Sequence, residues 1–217
     1  MTTDTAPIAP VDAACEDGQC ALPTATKSAL DSTATSAVIP ERLRGLPWQH
    51  LADATGAPVD AKTVLTKPLT LYLFSAEWCP PCRAISPTIK QLYNAHKNTD
   101  VDVVYVSLDR TWDQYRVRAQ LPYLRFSWDA VKDLPRAADQ PEGNDNPFVH
   151  ATRASLHAFS KNSIPTIVVV DARTGDVLET SAESFLRDEK TDAEIAELVS
   201  TWLQGKSIAV PAAAIAE

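Results

Sequence analysis

Short apolar runs along this chain predict four strands. Each run is rich in β-branched or aromatic residues and is bounded by turn-forming residues. The first two runs have few polar interruptions, which is typical of strands that are buried on both faces of a covered sheet. The predicted strands cover 69–75, 101–108, 164–171 and 177–180.

Apolar residues at helical spacing separate these runs and predict four helices. The helix that follows Cys82 carries Pro87 inside its pattern, which predicts a kink because proline removes a backbone hydrogen bond. The last helix begins with Thr191 and Glu194, which match a capping box. Strand, helix and strand in succession imply parallel pairing, so we predict an α/β fold with a central mixed β-sheet flanked by helices on both faces. The other two predicted helices cover 111–121 and 151–161.

The remaining segments are predicted as tails and loops around one domain. Residues 1–40 are dominated by small and polar residues without any apolar period, so they cannot bury enough surface to offset the entropy of ordering. We predict a disordered N-terminal tail over 1–40, a single domain over 41–205 and a flexible C-terminal tail over 206–217. Residues 129–146 contain charge, proline and glycine without a period, and are predicted to form a long surface loop.

Charge and composition argue against several classes of function. The formal net charge of -8 and an isoelectric point near 5.0 disfavour a nucleic-acid surface, because phosphate binding needs clustered lysine and arginine. No window reaches the roughly 18 consecutive apolar residues of a membrane span, so no membrane association is expected. The start of the chain, Met1 to Asp4, lacks the basic and apolar features of a secretory signal, and we expect a cytoplasmic protein.

Two of the four cysteines lie in a motif that indicates redox chemistry. The run Trp78-Cys79-Pro80-Pro81-Cys82 follows the first predicted strand directly and begins a predicted helix. The helix dipole and the unpaired N–H groups of its first turn favour a thiolate at the first cysteine. Cys79 is therefore predicted to attack a substrate disulfide, and Cys82, one turn on and more buried, to resolve the mixed disulfide. Trp78 is expected to shield the pair on one side.

The two prolines between the cysteines bear on the direction of exchange. Neither Pro80 nor Pro81 can donate an N–H group to the Cys79 sulfur, so the first backbone donor is that of Cys82. We therefore expect the pKa of the Cys79 thiol to be only moderately lowered, as in a reductase rather than a strong oxidant.

Several neighbours of the motif leave alternatives open. Pro165 near the head of a strand is either a strand-edge proline or part of a cis Ile164–Pro165 bond, which would offer an unpaired backbone edge to an extended substrate. Arg83 either adds positive potential beside the dithiol or is a solvated helix residue. Glu77 is expected to be an exposed turn residue.

Metal binding is the main alternative for the cysteines. A zinc site needs a second pair of ligands at suitable spacing, and Cys15 and Cys20 lie in the predicted tail, so no metal and no cofactor are expected. The tail pair is either idle, a small disulfide loop, a redox relay or a metal site. A surface or core role is favoured over catalysis for each histidine, namely His50, His96, His150 and His157.

The motif and its surroundings carry a family resemblance. Residues 74–83, with Pro87 downstream and Ile164-Pro165-Thr166 later, resemble the tryparedoxin and nucleoredoxin branch of the thioredoxin superfamily. Asp109, which follows the second predicted strand, also resembles that branch. The resemblance spans about 46–205 and implies a thioredoxin fold for the domain over 41–205. It further implies a nucleophile, a resolving thiol and a cis-proline that docks substrates, at Cys79, Cys82 and Pro165, with Trp78, Pro80, Pro81 and Ile164 also contacting substrate.

The resemblance also implies a function, and the chain departs from thioredoxins at one position. It implies a monomeric thiol-disulfide oxidoreductase that reduces disulfides in partner proteins such as peroxidases, and that a small dithiol or a reductase recycles. Thioredoxins carry a buried acid six residues before the nucleophile, and here that residue is Leu73, so a distant carboxylate or water must accept the Cys82 proton. The alternatives are a disulfide isomerase or oxidase, and a redox-regulated protein-binding module.

Overall fold

The computed structural model describes residues 37–128 and 147–208. These residues form six strands and five α-helices. The strands are β1 (Leu51–Ala52), β2 (Leu69–Ser75), β3 (Val101–Ser107), β4 (Leu124–Phe126), β5 (Thr166–Asp171) and β6 (Val177–Glu179). The helices are α1 (Ala61–Val64), α2 (Pro80–His96), α3 (Trp112–Arg118), α4 (Pro147–Ala158) and α5 (Asp192–Leu203).

All six strands belong to one mixed sheet in the order β1-β4-β3-β2-β5-β6. The central strand β2 pairs in parallel with β3 along its whole length, from Leu69 opposite Val101 to Ser75 opposite Ser107. On its other side β2 pairs antiparallel with β5. The end of β2 therefore lies beside the start of β5, which brings residues 76–82 close to residues 163–166.

The sheet is buried on both faces because side chains alternate along the central strands. One face carries Tyr72 and Phe74 of β2 into a core that includes Leu156 of α4. The opposite face carries Leu71 and Leu73 into a second core, against Ile85 and other residues of α2 and α5. Helices thus cover both faces and hold the end of β2 in a fixed position.

The predicted thioredoxin fold with a mixed sheet between helices is confirmed, and its details are refined. The structure adds the short strands β1 and β4, and β5 begins at Thr166, so Ile164 and Pro165 precede the strand. The capping box at Thr191 is present, with both reciprocal hydrogen bonds. Pro87 lies inside α2 as predicted, and the kink stays a prediction.

Three predictions concern residues outside the described part of the chain. Most of the N-terminal tail, most of the C-terminal tail and the loop over 129–146 fall there, so the division into tails and one domain stays a prediction. Residues 37–40 of the predicted tail are described, and Ala37 and Ile39 pack against the first core. Within the described ranges, no helix is both long enough and apolar enough to cross a bilayer.

Candidate active site

Cys79 and Cys82 lie where β2 leads into α2, and the structure joins them as a disulfide with Cα atoms 5.3 Å apart. Cys79 is 4% exposed and Cys82 is 0% exposed. An incoming sulfur atom therefore has access to Cys79 and not to Cys82. No group of three or more candidate metal ligands occurs among the residues that the structure describes.

The start of α2 follows directly from the sequence of the motif. Cys79 is the N-cap residue with extended backbone, and Pro80 and Pro81 occupy the first two helical positions, where an N–H group has no intrahelical partner. The carbonyl of Cys79 accepts the first helical hydrogen bond, from the N–H of Arg83 at 3.2 Å. The Cys79 sulfur therefore lies at the positive end of a long helix, an environment that stabilises a thiolate.

The peptide bond between Ile164 and Pro165 is cis. The carbonyl oxygen of Ile164 lies 3.6 Å from the Cys79 sulfur. A disulfide sulfur has no hydrogen to donate, so this is a contact that only the reduced thiol can turn into a weak hydrogen bond. The pairing of Phe74 with Thr166 between β2 and β5 explains the proximity of these distant parts of the sequence.

Trp78 stands beside the dithiol with 38% of its surface exposed. Its indole N–H donates to the carbonyl of Leu108 at 3.0 Å. The guanidinium of Arg110 lies over the ring, 4.4 Å from its centroid, at a distance typical of a cation–π contact. The indole is thereby held from two directions, and its outer surface remains available to a substrate.

A buried polar cluster fixes the loop that precedes Cys79. The fully buried carboxylate of Asp109 accepts hydrogen bonds from the N–H of Glu77 at 2.7 Å and from the hydroxyls of Tyr105 and Ser107 at 3.0 and 2.8 Å. Burial raises the pKa of Asp109 even though these three donors, and the positive charge of Arg118, act in the opposite direction.

The side chain of Glu77 is also engaged, which corrects the expectation of an exposed turn residue. Its carboxylate lies 2.7 Å from Nε of the buried Arg118, an ion pair whose angles are poor for a hydrogen bond. Arg118 also donates to the hydroxyl of Ser86, which donates to the carbonyl of Cys82. The loop before the dithiol and the helix after it are therefore tied to one guanidinium.

The raised pKa of Asp109 predicts a dependence of stability on pH. The folded protein binds the proton of the Asp109 carboxyl more tightly than the unfolded chain does. The contribution of this proton to stability is therefore complete below the pKa of Asp109 in the unfolded chain, and it is lost as pH rises through the pKa in the folded protein. Asp109→Asn removes this pH-dependent loss of stability, because asparagine does not titrate. We expect the free energy of unfolding of the variant, minus that of the wild type, to increase between about pH 4 and pH 7 in urea titrations.

The matched control for this experiment is Asp113→Asn, the same chemical change at a largely exposed position of α3. The absolute stability of Asp109→Asn also reflects altered hydrogen bonds, so the slope with pH is the informative quantity. If the free energy of unfolding of Asp109→Asn, minus that of the wild type, falls as pH rises, the raised pKa of Asp109 is contradicted.

A cavity of about 580 Å³ opens in front of Cys79. Its lining comes from the motif, from α4 and from the segment before β5. Cys82 is behind this surface, and Pro165 is not among the lining residues. The lining comprises Trp78, Cys79, Pro80, Pro81, Leu108, Arg153, Leu156, His157, Asn162, Ser163 and Ile164.

The structure thus brings together most of the residues that the sequence singled out, and their catalytic and binding roles stay predictions. Arg83 is exposed and its guanidinium donates to the carbonyl of Glu77 at 2.7 Å, and both of its predicted roles stay open. Sequence reasoning missed Arg118 and Arg153, and favoured a surface or core role for His157. The spacing of Arg153 and His157 on a helix that leads to Ile164 is the signal that could have identified them. Cys15 and Cys20 lie outside the described residues.

A sequence model described as thioredoxin-like matches residues 67–177, just over half of the chain. The chain belongs to the thioredoxin-like family. The matched region contains the dithiol, the Ile164–Pro165 bond and the four central strands, and it confirms the resemblance that the sequence indicated.

Individual relatives agree with this assignment. The chain is 28% identical to tryparedoxin of Trypanosoma brucei brucei over 129 residues, which is 58% of this chain and 76% of that protein. It is 25% identical to the nucleoredoxin of Bos taurus over 154 residues, 69% of this chain but only 31% of that longer protein. The crystal structure of native tryparedoxin I from Crithidia fasciculata superposes with a TM-score of 0.50 at 28% identity, covering 67% of this chain and 92% of that chain.

Proposed function

We propose that this protein is a thiol-disulfide oxidoreductase that reduces disulfides in partner proteins, with Cys79 as the attacking thiol and Cys82 as the resolving thiol. The observation that carries the proposal is the position of the pair. Cys79 faces a cavity from the N-terminus of α2, and Cys82 is bonded to it from a fully buried site. Membership of the thioredoxin-like family supports a redox role.

The proposed reaction transfers two electrons in two exchanges. The Cys79 thiolate attacks one sulfur of the substrate disulfide, forms a mixed disulfide and releases the other substrate sulfur as a thiolate. The Cys82 thiolate then attacks the Cys79 sulfur, which forms the Cys79–Cys82 disulfide and releases the second substrate thiolate. The two protons of the original dithiol end on the substrate thiols. An external dithiol or a reductase returns two electrons to the pair.

The partners follow from this chemistry and from the relatives. We propose disulfide-containing proteins, peroxidases among them, as substrates of a monomeric enzyme that needs no metal or cofactor of its own. A dithiol reductase needs a compartment that keeps its cysteines reduced, so the proposal includes a cytoplasmic location. Tryparedoxin, of which the chain covers 76%, supports this proposal more directly than the nucleoredoxins, of which it covers a smaller share.

The test is reduction of insulin with dithiothreitol as electron donor. We expect the wild-type protein at micromolar concentration to accelerate precipitation of the insulin B chain well above the rate with dithiothreitol alone. Cys79→Ser/Cys82→Ser is the control and is expected to give only the background rate. A wild-type rate equal to background contradicts the proposal. If, in that case, the wild type and Cys79→Ser/Cys82→Ser bind a partner protein equally well, the result favours a redox-regulated binding module.

The redox potential separates a reductase from an oxidase or isomerase. The missing N–H groups of Pro80 and Pro81 leave the Cys79 thiolate with fewer backbone donors than other motifs of this spacing can provide. A moderately stabilised thiolate favours the oxidised form of the enzyme, and hence a reductase. Equilibration with glutathione buffers measures this potential.

A further inference from the structure

Two cationic or hydrogen-bonding side chains of α4 line the cavity in front of Cys79. Arg153 and His157 are four residues apart on α4, so they share one face of the helix about one turn apart. Leu156 between them is 2% exposed and anchors that part of the helix to the core, while Arg153 and His157 are exposed. All three residues line the same cavity as Cys79.

The charge of this cavity is opposite to that of the whole protein. The formal net charge of the chain is -8, yet no aspartate or glutamate is among the lining residues. Within the described ranges, neither Arg153 nor His157 has a carboxylate partner. The guanidinium of Arg110 lies over the ring of Trp78, which is itself one of the lining residues.

The acidic groups that contact the loop before Cys79 do not cancel this potential. Glu77 forms an ion pair with the buried Arg118, and Asp109 is fully buried with its oxygens occupied by three donors. Both carboxylates are therefore engaged on the inner side of the loop. An anionic group that enters the cavity meets Arg153 without a competing partner from the described part of the chain.

We propose that Arg153, assisted by His157, binds a carboxylate of the substrate and thereby selects disulfide peptides that carry an acidic residue next to the reactive cysteine. This inference rests on the proposed function and names its substrate class. Because Cys79 and Arg153 line the same cavity, a peptide cystine placed at Cys79 has its flanking side chains within reach of α4. Arg153 takes no part in electron transfer, and it orients the disulfide for attack by Cys79.

The test compares three dimeric disulfide peptides that differ only in one residue beside cysteine: glutamate, glutamine or lysine. Turnover is measured with dithiothreitol as donor at low salt, where exposed charges are least screened. We expect kcat/KM of the wild type to be roughly threefold to fivefold higher for the glutamate peptide than for the glutamine peptide. The lysine peptide is expected to be the poorest substrate. Oxidised glutathione in a parallel arm tests whether a small anionic disulfide shares the preference.

Three variants of Arg153 and one control variant test whether the preference for the glutamate peptide depends on the charge of Arg153. Arg153→Gln is expected to bring the ratio of glutamate to glutamine kcat/KM close to one, and Arg153→Glu to invert it. Arg153→Lys keeps the charge and is expected to retain part of the preference. The matched control is Arg173→Gln, because Arg173 is an exposed arginine beyond the end of β5 that is farther from Cys79, and the ratio should stay at the wild-type value.

The outcomes separate this inference from the function on which it rests. Turnover of all three peptides at equal kcat/KM by the wild type overturns the inference and leaves the reductase intact. A preference that survives in Arg153→Glu overturns it as well. Absence of any turnover overturns the proposed function and this inference together. A preference that disappears in Arg153→Gln and weakens with added salt supports it.

Discussion

Cys79→Ser is expected to lower the rate of disulfide reduction by at least about 10³-fold, because a serine hydroxyl is a poor nucleophile without an adjacent base. Cys82→Ser is expected to behave differently. Its Cys79 thiolate still attacks the substrate, but the mixed disulfide then persists because the buried resolving thiol is absent. The two variants therefore differ in whether a mixed disulfide with the substrate accumulates.

Trapping of the intermediate measures this difference. Cys82→Ser incubated with an excess of disulfide peptide is expected to gain the mass of one peptide chain, and dithiothreitol should remove it. Cys79→Ser should gain none, since Cys82 is 0% exposed. Both variants are best prepared in a Cys15→Ser/Cys20→Ser background, because these two cysteines are further sites for an adduct. Equal adduct formation by both variants would show that the assignment of the two roles is wrong.

Trp202→Ala is expected to lower the free energy of unfolding by about 3–5 kcal/mol. Trp202 lies in α5 and is 0% exposed in the core that also contains Ile85 and Ile89 of α2. Truncation to alanine leaves a cavity between the two helices on this face of the sheet. Because α2 carries the dithiol at its start, we also expect Trp202→Ala to loosen the orientation of α2. Urea unfolding measures the loss of stability, and insulin reduction measures the loss of activity.

Trp202→Phe separates packing from hydrogen bonding at this position. The indole N–H of Trp202 has no hydrogen-bond partner among the described residues, so phenylalanine loses volume without breaking a polar contact. We expect a cost below about 1.5 kcal/mol. Leu203→Ala is the control on the same helix, because Leu203 is 36% exposed and its truncation removes little buried surface. A Trp202→Ala cost no larger than that of Leu203→Ala contradicts the assigned packing role.

The sequence predicted those parts of the site that depend on local patterns. The apolar run of β2 followed by two cysteines at the start of a helix is a local signal, and both the strand and the helix were located to within a few residues. β4 was missed because three residues, one of them the charged Arg125, are too few to establish a period. Strand pairing with β1 and β3 forms it instead.

The rest of the site depends on contacts between distant residues. Glu77 was predicted to be exposed because nothing near it in sequence suggests a partner, and the partner Arg118 comes from a helix beyond β3. Likewise, Arg153 and His157 gain significance only from the antiparallel position of β5, which brings α4 in front of Cys79. Single-sequence patterns contain no information on such pairings. The resemblance indicated Pro165, whose local signal alone favoured a simple strand-edge proline.

The parallel register of β2 and β3 limits how this protein can tolerate changes in length. Asp109 and the carbonyl of Leu108 reach the loop before Cys79 only because both strands end at the same level, with Ser75 opposite Ser107. One residue inserted into β3 would turn the following side chains to the opposite face of the sheet. Insertions and deletions that are harmless in surface turns are therefore expected to be excluded from β3, although this strand contributes none of the reacting atoms.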